Sequence, residues 1–462
     1  MTGLPFDADT FYRLRDSRTD LCGVDPRYTR VRCWLSVGPE VLTTHSGQVM
    51  VLSAGILLAR WCRDVHIHLH CDAPILVRSG NSATTFTDLL LHHMMAADPF
   101  GKFAWSASSP ACADVRLHVG ERCAESGIPT TVLSCCGWLA SIGRPGFIGF
   151  PFVEAQNTRN TIGAMFAAGF GVAQAFFDAV GQDSPFGTGT LFDAFALKRI
   201  TSGLIPAHPF PNNRDIGRVL SIGAGSVASA AVYCMIHAGI TATTHFVDRD
   251  IVKIENISRG PTFDVAKIGQ QKSCALAASC EGSGIVGTCS EEWWDEFIEV
   301  DDALAGFDLW LPLANERGVR LAIAQSAPPL LIHASTTRNV GASFGRHIPG
   351  RDDCLAERFA GAEVAPQFRC STAAIKVTPE KQIDAALPFL SFVAGALIVA
   401  DLLRLKLDGY PQVSNYALID LGGDSFAPQV LPRRAAAGCW CSQMAGITRV
   451  MRGGSRYHAL IA

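Results

Sequence analysis

Apolar runs and small-residue turns recur along this chain in a fixed order. RVLSIGAG at 218–225 is an apolar run that ends in a glycine turn. SVASAAVYCMIHAG follows, small and apolar throughout, and then THFVDRD, a second apolar run with an acidic end. Short apolar runs bounded by glycine read as strands buried on both faces of a parallel sheet, and the longer segments between them as crossover helices. The first part of the chain repeats the order. VMVLSAG at 49–55 reads as a strand turning at Gly55, ILLARWCRD as a helix and VHIHLHCDAP as the next strand. TVLSCCGW at 131–138 then leads toward the apolar helix 163–180. LPLANERGVRLAIAQ and PPLLIHAST lead toward its counterpart 392–405.

The pattern predicts an α/β protein of two related Rossmann-like halves, each a doubly wound, mainly parallel sheet. PAHPFPNN at 206–213 is the expected linker, with one unit over 1–205 and the other over 214–462. The copies differ at the turn. The first keeps Gly55 alone where the second has Gly223 and Gly225, and it lacks the cations found later in the second. A phosphate cannot approach its backbone as closely, so the first half reads as a degenerate copy that has lost nucleotide binding.

The 462 residues suffice for about two or three domains. With 48% hydrophobic and 18% charged residues the chain reads as well packed. A formal net charge of −3 gives no global pull toward nucleic acid or an anionic membrane, and neither is an expected partner. The longest apolar run, 385–400, falls short of the ~20 residues of a spanning helix and reads as a core helix. The charged N-terminus is not a secretory signal, so the expected setting for the 16 cysteines is a reducing cytoplasm. Most of them, such as Cys62, Cys234 and Cys274, lie in apolar helical patterns and read as small core residues.

GAGSVA at 223–228 satisfies G-x-G-x-x-G/A. Gly223 permits the turn, Gly225 lets backbone N–H groups reach a phosphate, and Ala228 allows close helix packing. Asp248 closes the second strand, where a carboxylate can accept from a ribose. So far an NAD-linked oxidoreductase fits equally well.

The residues beyond decide otherwise. FVDRDIVKIENISRGPTFDVAKIGQQKSCALAA carries Asp248 and Asp250, then Asn256 and Arg259, then Gly269 and Lys272 at the start of a helix. This series resembles the aspartate pair, Asn-x-x-Arg and Gly-x-x-Lys of ThiF-type adenylyltransferases. These include ubiquitin-activating enzymes and the enzymes that adenylate the molybdopterin-synthase and thiamin sulfur-carrier proteins. The resemblance covers roughly 215–445 and reaches the first half through its layout alone. It implies that Arg259 and Lys272 grip the triphosphate of ATP, stabilising charge as pyrophosphate leaves. It also implies Mg²⁺ held by Asn315 or Glu316, where the family has an Asp-Asn pair five residues before an arginine (here Arg320). Asp308 is a weaker candidate.

Family members that go on to a thioester carry a cysteine on a crossover loop before the long apolar helix. Here that loop spans about 340–385 and the match is Cys370, beside Arg369, Ser371 and Thr372, with Cys354 as the alternative. Cys354, Cys439 and Cys441 otherwise match the remnant of the family's zinc site, with Glu357 or His347 as a possible fourth ligand. His333 reads as a core residue, and His66, His68 and His70 as one face of a strand. In homodimeric relatives an arginine of the partner reaches the ATP, a role for which Arg13 and Arg15 are candidates within this chain.

A degenerate copy fused to an active one is similar to the Bil-type activating enzymes of bacterial antiphage conjugation operons. That resemblance implies activation of a ubiquitin-like protein: adenylation of its terminal carboxylate, thioester formation, and transfer to a conjugating enzyme. Sulfur-carrier adenylation in cofactor biosynthesis is the alternative. A non-catalytic subunit that binds a ubiquitin-like protein is the alternative of another class. The chain itself is expected to form an internal pseudo-dimer.

Overall fold

The computed structural model describes residues 4–461 apart from 21–23, 70–71, 79–82, 122, 124–125, 148–158, 202–204, 299–305, 316, 338–339, 356–373, 379–380, 385–386, 408–413, 424, 437 and 453. In the first half the strands are β1 (Arg32–Val37), β2 (Asp64–Leu69), β3 (Lys102–Ser106), β4 (Val115–Val119), β5 (Thr130–Cys136), β6 (Leu139–Gly143), β7 (Gly189–Asp193) and β8 (Lys198–Arg199). In the second they are β9 (Asp215–Ile222), β10 (Thr241–Val247), β11 (Ile285–Ser290), β12 (Leu309–Pro312), β13 (Leu331–Thr337) and β14 (Gly341–His347), then the hairpin β15 (Ala374–Thr378) and β16 (Lys381–Asp384), then β17 (Tyr416–Asp420) and β18 (Gln429–Leu431).

The two large sheets share one topology. The first runs β3-β2-β1-β4-β5-β6-β7-β8 and the second β11-β10-β9-β12-β13-β14-β17-β18. In each, the five strands to one side are parallel, and the last three add as antiparallel neighbours. In both, the order reverses beside the first strand. That reversal opens a crevice at the carboxyl ends of the strands, where doubly wound sheets bind ligands.

The helices that matter are α1 (Ala8–Arg15), α2 (His45–Leu58), α3 (Phe86–Ala97), α4 (Ile162–Val180), α5 (Ser226–His237), α6 (Ile254–Ile257), α7 (Lys272–Ser279) and α8 (Pro388–Arg404). Two corrections to the sequence reading follow. VMVLSAG at 49–55 lies inside α2, and the first strand is RCWLSV at 32–37. Gly55 is therefore no phosphate turn; a Cβ there would lie 2.5 Å from Leu90 Cδ1, so the glycine serves helix packing against α3. The segment was misread because α2 is buried on nearly every face, which erases the helical period.

One continuous apolar core runs through both halves. Its centre is the pair α4 and α8, each buried along its length, which pack on one another across the halves. Gly169 of α4 faces Phe392 and Val393, and Gly395 of α8 lets that helix lie against the α5 backbone at Ala230 and Ala231. Phe176 and Phe177 of α4 meet Phe389 of α8, each such buried ring contributing about 1.5–3 kcal/mol. Pro388 opens α8 at its first turn, where its missing N–H costs nothing. α4 is also the one helix among the described residues long and apolar enough to cross a membrane, and 89% of its apolar window is buried inside the protein.

Two buried arginines tie the halves at opposite ends. Arg60, past the end of α2, donates to the carbonyls of Ile257, Pro261 and Phe263 in the second half. Arg404, ending α8, donates to Ala194 and Phe195 in the first and is paired with Asp401.

Candidate active site

The crevice of the second sheet is lined by the turn 222–227, by Val247, Asp248 and Asp250 after β10, by Lys272, by Glu292, Trp293 and Trp294 after β11, and by Leu313, Ala314, Asn315 and Val319 after β12. Gly223 has a left-handed φ of +92°, and a Cβ there would lie 2.5 Å from the Ala314 nitrogen, so only glycine fits. Gly225 caps α5 without any side-chain hydrogen bond, and a Cβ on it would meet nothing within 4 Å. The first N–H groups of a 12-residue helix thus remain available to an anion, beside open space.

Asp248 holds the turn in shape. Its Oδ2 accepts from Ala224 N at 2.6 Å and its Oδ1 from Asp250 N at 2.8 Å, leaving each oxygen a further lone pair for a ribose hydroxyl. Burial raises its pKa above the usual carboxylate value, and the nearby Lys272 charge pulls it back. Lys272 Nζ lies 2.7 Å from Asp250 Oδ2, with the lysine buried and the aspartate partly exposed. The geometry follows from local backbone pairing: Lys272 N donates to the Asp250 carbonyl, and Ser273 Oγ to that of Asp248, pinning the start of α7 to the end of β10.

Other expected residues stand apart. Asn256 caps α6 through its side chain, accepting from Lys253 N at 2.8 Å, and neither it nor Arg259 lines the crevice. Arg259 sits in the loop whose flanking carbonyls Arg60 holds. Of the expected metal pair, Asn315 is exposed on the crevice wall and Glu316 lies outside the described residues. Arg320 donates to the Ala314 carbonyl at 2.7 Å and so braces that wall. Asp308 is displaced to the opposite end of β12, where it is buried and bonded to Arg218 N and to Arg456; it cannot serve the crevice.

Arg15 is fully buried between Asp16 and Asp98, so it reaches no nucleotide. Arg13 is exposed on α1, which packs against α6. His66 and His68 contact the carbonyls of Ser108 and Ala107, and His70 lies outside the described residues. His333 is buried in the sheet on β13.

The sequence reading passed over the third wall. Trp293 and Glu292 line the crevice, and the guanidinium of Arg249 stacks 3.9 Å over the Trp293 ring. A Trp pair just after a strand, with an arginine next to Asp248, was the available signal. Cys274 is no core residue: it is bonded to Cys289, joining α7 to β11 next to the two walls that carry Lys272 and Trp293. The reading of Cys274 as a small core thiol in a reducing setting fails at this pair.

Cys370, Arg369, Ser371, Thr372 and Glu357 lie outside the described residues. Cys354, Cys439 and Cys441 come together, their sulfurs within 4.8 Å of one another. Hydrogen bonding with Cys354 and burial raise the Cys441 pKa. Three convergent sulfurs suit zinc, which would ionise them. His347 is not of the group; its Nδ1 faces the carbonyls of Asp352 and Asp353.

Residues 214–441 match the model of the ThiF family, and residues 32–188 match that of the BilD N-terminal domain. No curated protein matches the chain. Among solved structures it is similar to crystal structures of E. coli MccB. One, with MccA-N7isoAsn, is 16% identical over 49% of this chain and 67% of that one, with a TM-score of 0.40. Another, with AMPCPP and MccA, is 17% identical over 47% and 64%, with a TM-score of 0.36. The chain thus spans about two thirds of the length of those proteins.

Proposed function

From a chain that carries a ThiF-family domain behind a BilD-type N-terminal domain, we propose an enzyme that activates the C-terminal carboxylate of a ubiquitin-like protein with ATP. The observation that carries this reading is the crevice itself: a bare helix N-terminus at Gly225, with Asp248 and the Asp250–Lys272 pair facing it. The glycine turn and helix start suit phosphates, Asp248 a ribose, and the Trp293 wall a planar base.

In the proposed reaction the carboxylate of the partner attacks the α-phosphate, forming an acyl adenylate and releasing pyrophosphate. Lys272 leaves Asp250 for the phosphates and meets the charge that develops on the leaving group. Arg259 acts from its loop, which Arg60 holds from the other half, and Arg13, exposed on α1 against α6, is the candidate arginine from that half. The oxygens of Asp250 and Asn315 are hard donors suited to Mg²⁺, which would supply further charge neutralisation at the phosphates.

A cysteine thiolate then attacks the acyl carbonyl, forming a thioester and releasing AMP. We assign this to Cys370, because Cys354 is buried and its sulfur is 3.5 Å from that of Cys439, committed to the thiol cluster. Transfer to a conjugating enzyme completes the cycle, and the BilD-type first half supports a place in a bacterial antiphage conjugation system.

The test is ATP–pyrophosphate exchange with a small β-grasp protein ending in glycine. Exchange should require that protein and vanish when its C-terminus is amidated. A thioester that forms on the wild type and on Cys354→Ser but not on Cys370→Ser supports the full cycle. Exchange without any thioester points to sulfur-carrier adenylation, and binding without exchange to a non-catalytic subunit.

A further inference from the structure

A second cavity, of about 420 Å³, opens between the halves and has no part in the reaction proposed above. It is lined by His45 at the start of α2, Leu76 and Arg78 after β2, Arg159 before α4, Arg214 before β9, and by 236–239 at the end of α5. It could hold several waters, whose share of liquid volume is ~30 Å³ each. Three guanidinium groups therefore line one cavity, and among the described residues its lining contains no carboxylate. Their mutual repulsion registers on Arg214. Burial lowers the Arg214 pKa, and the charges of Arg159 and Arg78 lower it further.

A second observation points to a ligand. His237 is 8% exposed, lines the cavity, and its buried Nδ1 has no hydrogen-bond partner. A buried polar nitrogen without a partner costs about 1–3 kcal/mol, and three like charges at one cavity repel one another. An anion that accepts from all of them removes both penalties.

We infer that this cavity is a binding site for a free oligophosphate anion such as tripolyphosphate or pyrophosphate. Guanidinium forks match phosphate oxygens two at a time, and an oligophosphate carries several negative charges in a small volume. The cavity opens near the carboxyl edge of the first sheet, the edge that binds nucleotide in the second. A whole nucleotide is a poorer fit. The turn of the first half is filled by Glu40, whose carboxylate folds back so that a Cβ on Gly38 would lie 2.5 Å from Oε1. No glycine cradle is left there for the rest of the nucleotide.

The experiment uses full-length Lys272→Ala protein, so that the ATP crevice does not compete. Calorimetric titration with tripolyphosphate should give one site per chain. Arg78→Ala combined with Arg214→Ala should weaken it by roughly a hundredfold, about tenfold per lost charge-assisted contact. Arg199→Ala, which removes an exposed charge elsewhere, should change it less than twofold. His237→Phe should weaken it by about tenfold. No binding to Lys272→Ala protein, or an equal loss in Arg199→Ala, overturns the proposal. ATP binding more tightly than tripolyphosphate overturns the choice of a free oligophosphate. None of these readouts depends on exchange activity, so the site and the adenylation reading stand or fall apart.

Discussion

The turns after β1 and β9 are the same piece of the same topology, and they differ in three local respects. After β9 the chain reads Gly223, Ala224, Gly225, and α5 starts at once with an uncapped N-terminus. After β1 it reads Gly38, Pro39, Glu40. A 3-10 turn, Val41–Thr43, then delays the helix, and Thr44 caps it by accepting from Gly47 N at 3.0 Å. The carboxylate of Glu40 occupies the turn and accepts from Glu121 N. After the second strand, Asp250 holds Lys272, whereas Asp72 accepts from Thr87 N and Thr87 Oγ1. On the proposed reading, nucleotide competence resides in a few side chains and one inserted turn. The sheet order is indifferent to it.

That contrast can be broken by transplanting its parts. The largest effect is expected from Gly225→Glu, which copies the first half's carboxylate into the second. Nothing lies within 4 Å of the new Cβ, so the fold should hold. ATP should no longer raise the Tm, even at millimolar concentration. Next, Lys272→Ala should lower ATP–pyrophosphate exchange by on the order of 10²–10³-fold with the melting curve little changed. Undiminished exchange would sink the site assignment.

A third change works across the halves. Arg60→Ala leaves the carbonyls of Ile257, Pro261 and Phe263 without their buried donor. A loss of about 3 kcal/mol in urea denaturation is expected, along with a raised KM for ATP, because the loop carrying Arg259 loosens. Rescue of KM by Arg60→Lys would show that charge alone positions the loop.

Acid should have a smaller effect. Burial lowers the pKa of His237 from 6.5 to about 3, so the folded protein keeps it neutral where the unfolded chain protonates it. Unfolded protein binds more protons between these values. The stability is fully present above about pH 6.5 and falls as pH drops below it, by about 2 kcal/mol at about pH 5 from this residue. The wild-type Tm should track that fall, and His237→Phe should flatten it.

The smallest effect on exchange is expected at the thiol cluster, among the described residues the only group of three ligand side chains placed to hold a metal, and one that the described first half does not share. Cys441→Ser should reduce bound zinc, read by elemental analysis, and leave exchange within about twofold, because the cluster does not line the crevice.

Much of this was legible because the chemistry is written in local runs. GAGSVA, Asp248, Asp250 and Lys272 follow one another within 50 residues, and backbone pairing at the ends of β10 and α7 brings them together. The two-half layout was legible too, but not its register. In α2, apolar residues on all faces imitate a strand, and the true first strand, RCWLSV, carries arginine, tryptophan and serine. What no local run carries is partnership across the fold. Cys274 with Cys289, Arg15 with Asp98, Asp308 with Arg456 and Arg60 with the 257–263 loop pair residues 15 to about 200 positions apart. Each is fixed only when the sheets and the α4–α8 contact exist.

Because 206–213, the expected linker, tethers the two halves, the contact of α4 with α8 is intramolecular. A dimer of separate chains would lose its shared interface on dilution; a tether of this length keeps the local concentration of one half about the other at roughly millimolar. Activity per chain should thus be insensitive to protein concentration. On the proposed reading the first half need not match an identical copy, and so is released from symmetry. It can then do without a phosphate turn of its own while still lending Arg60 to the loop at 257–263.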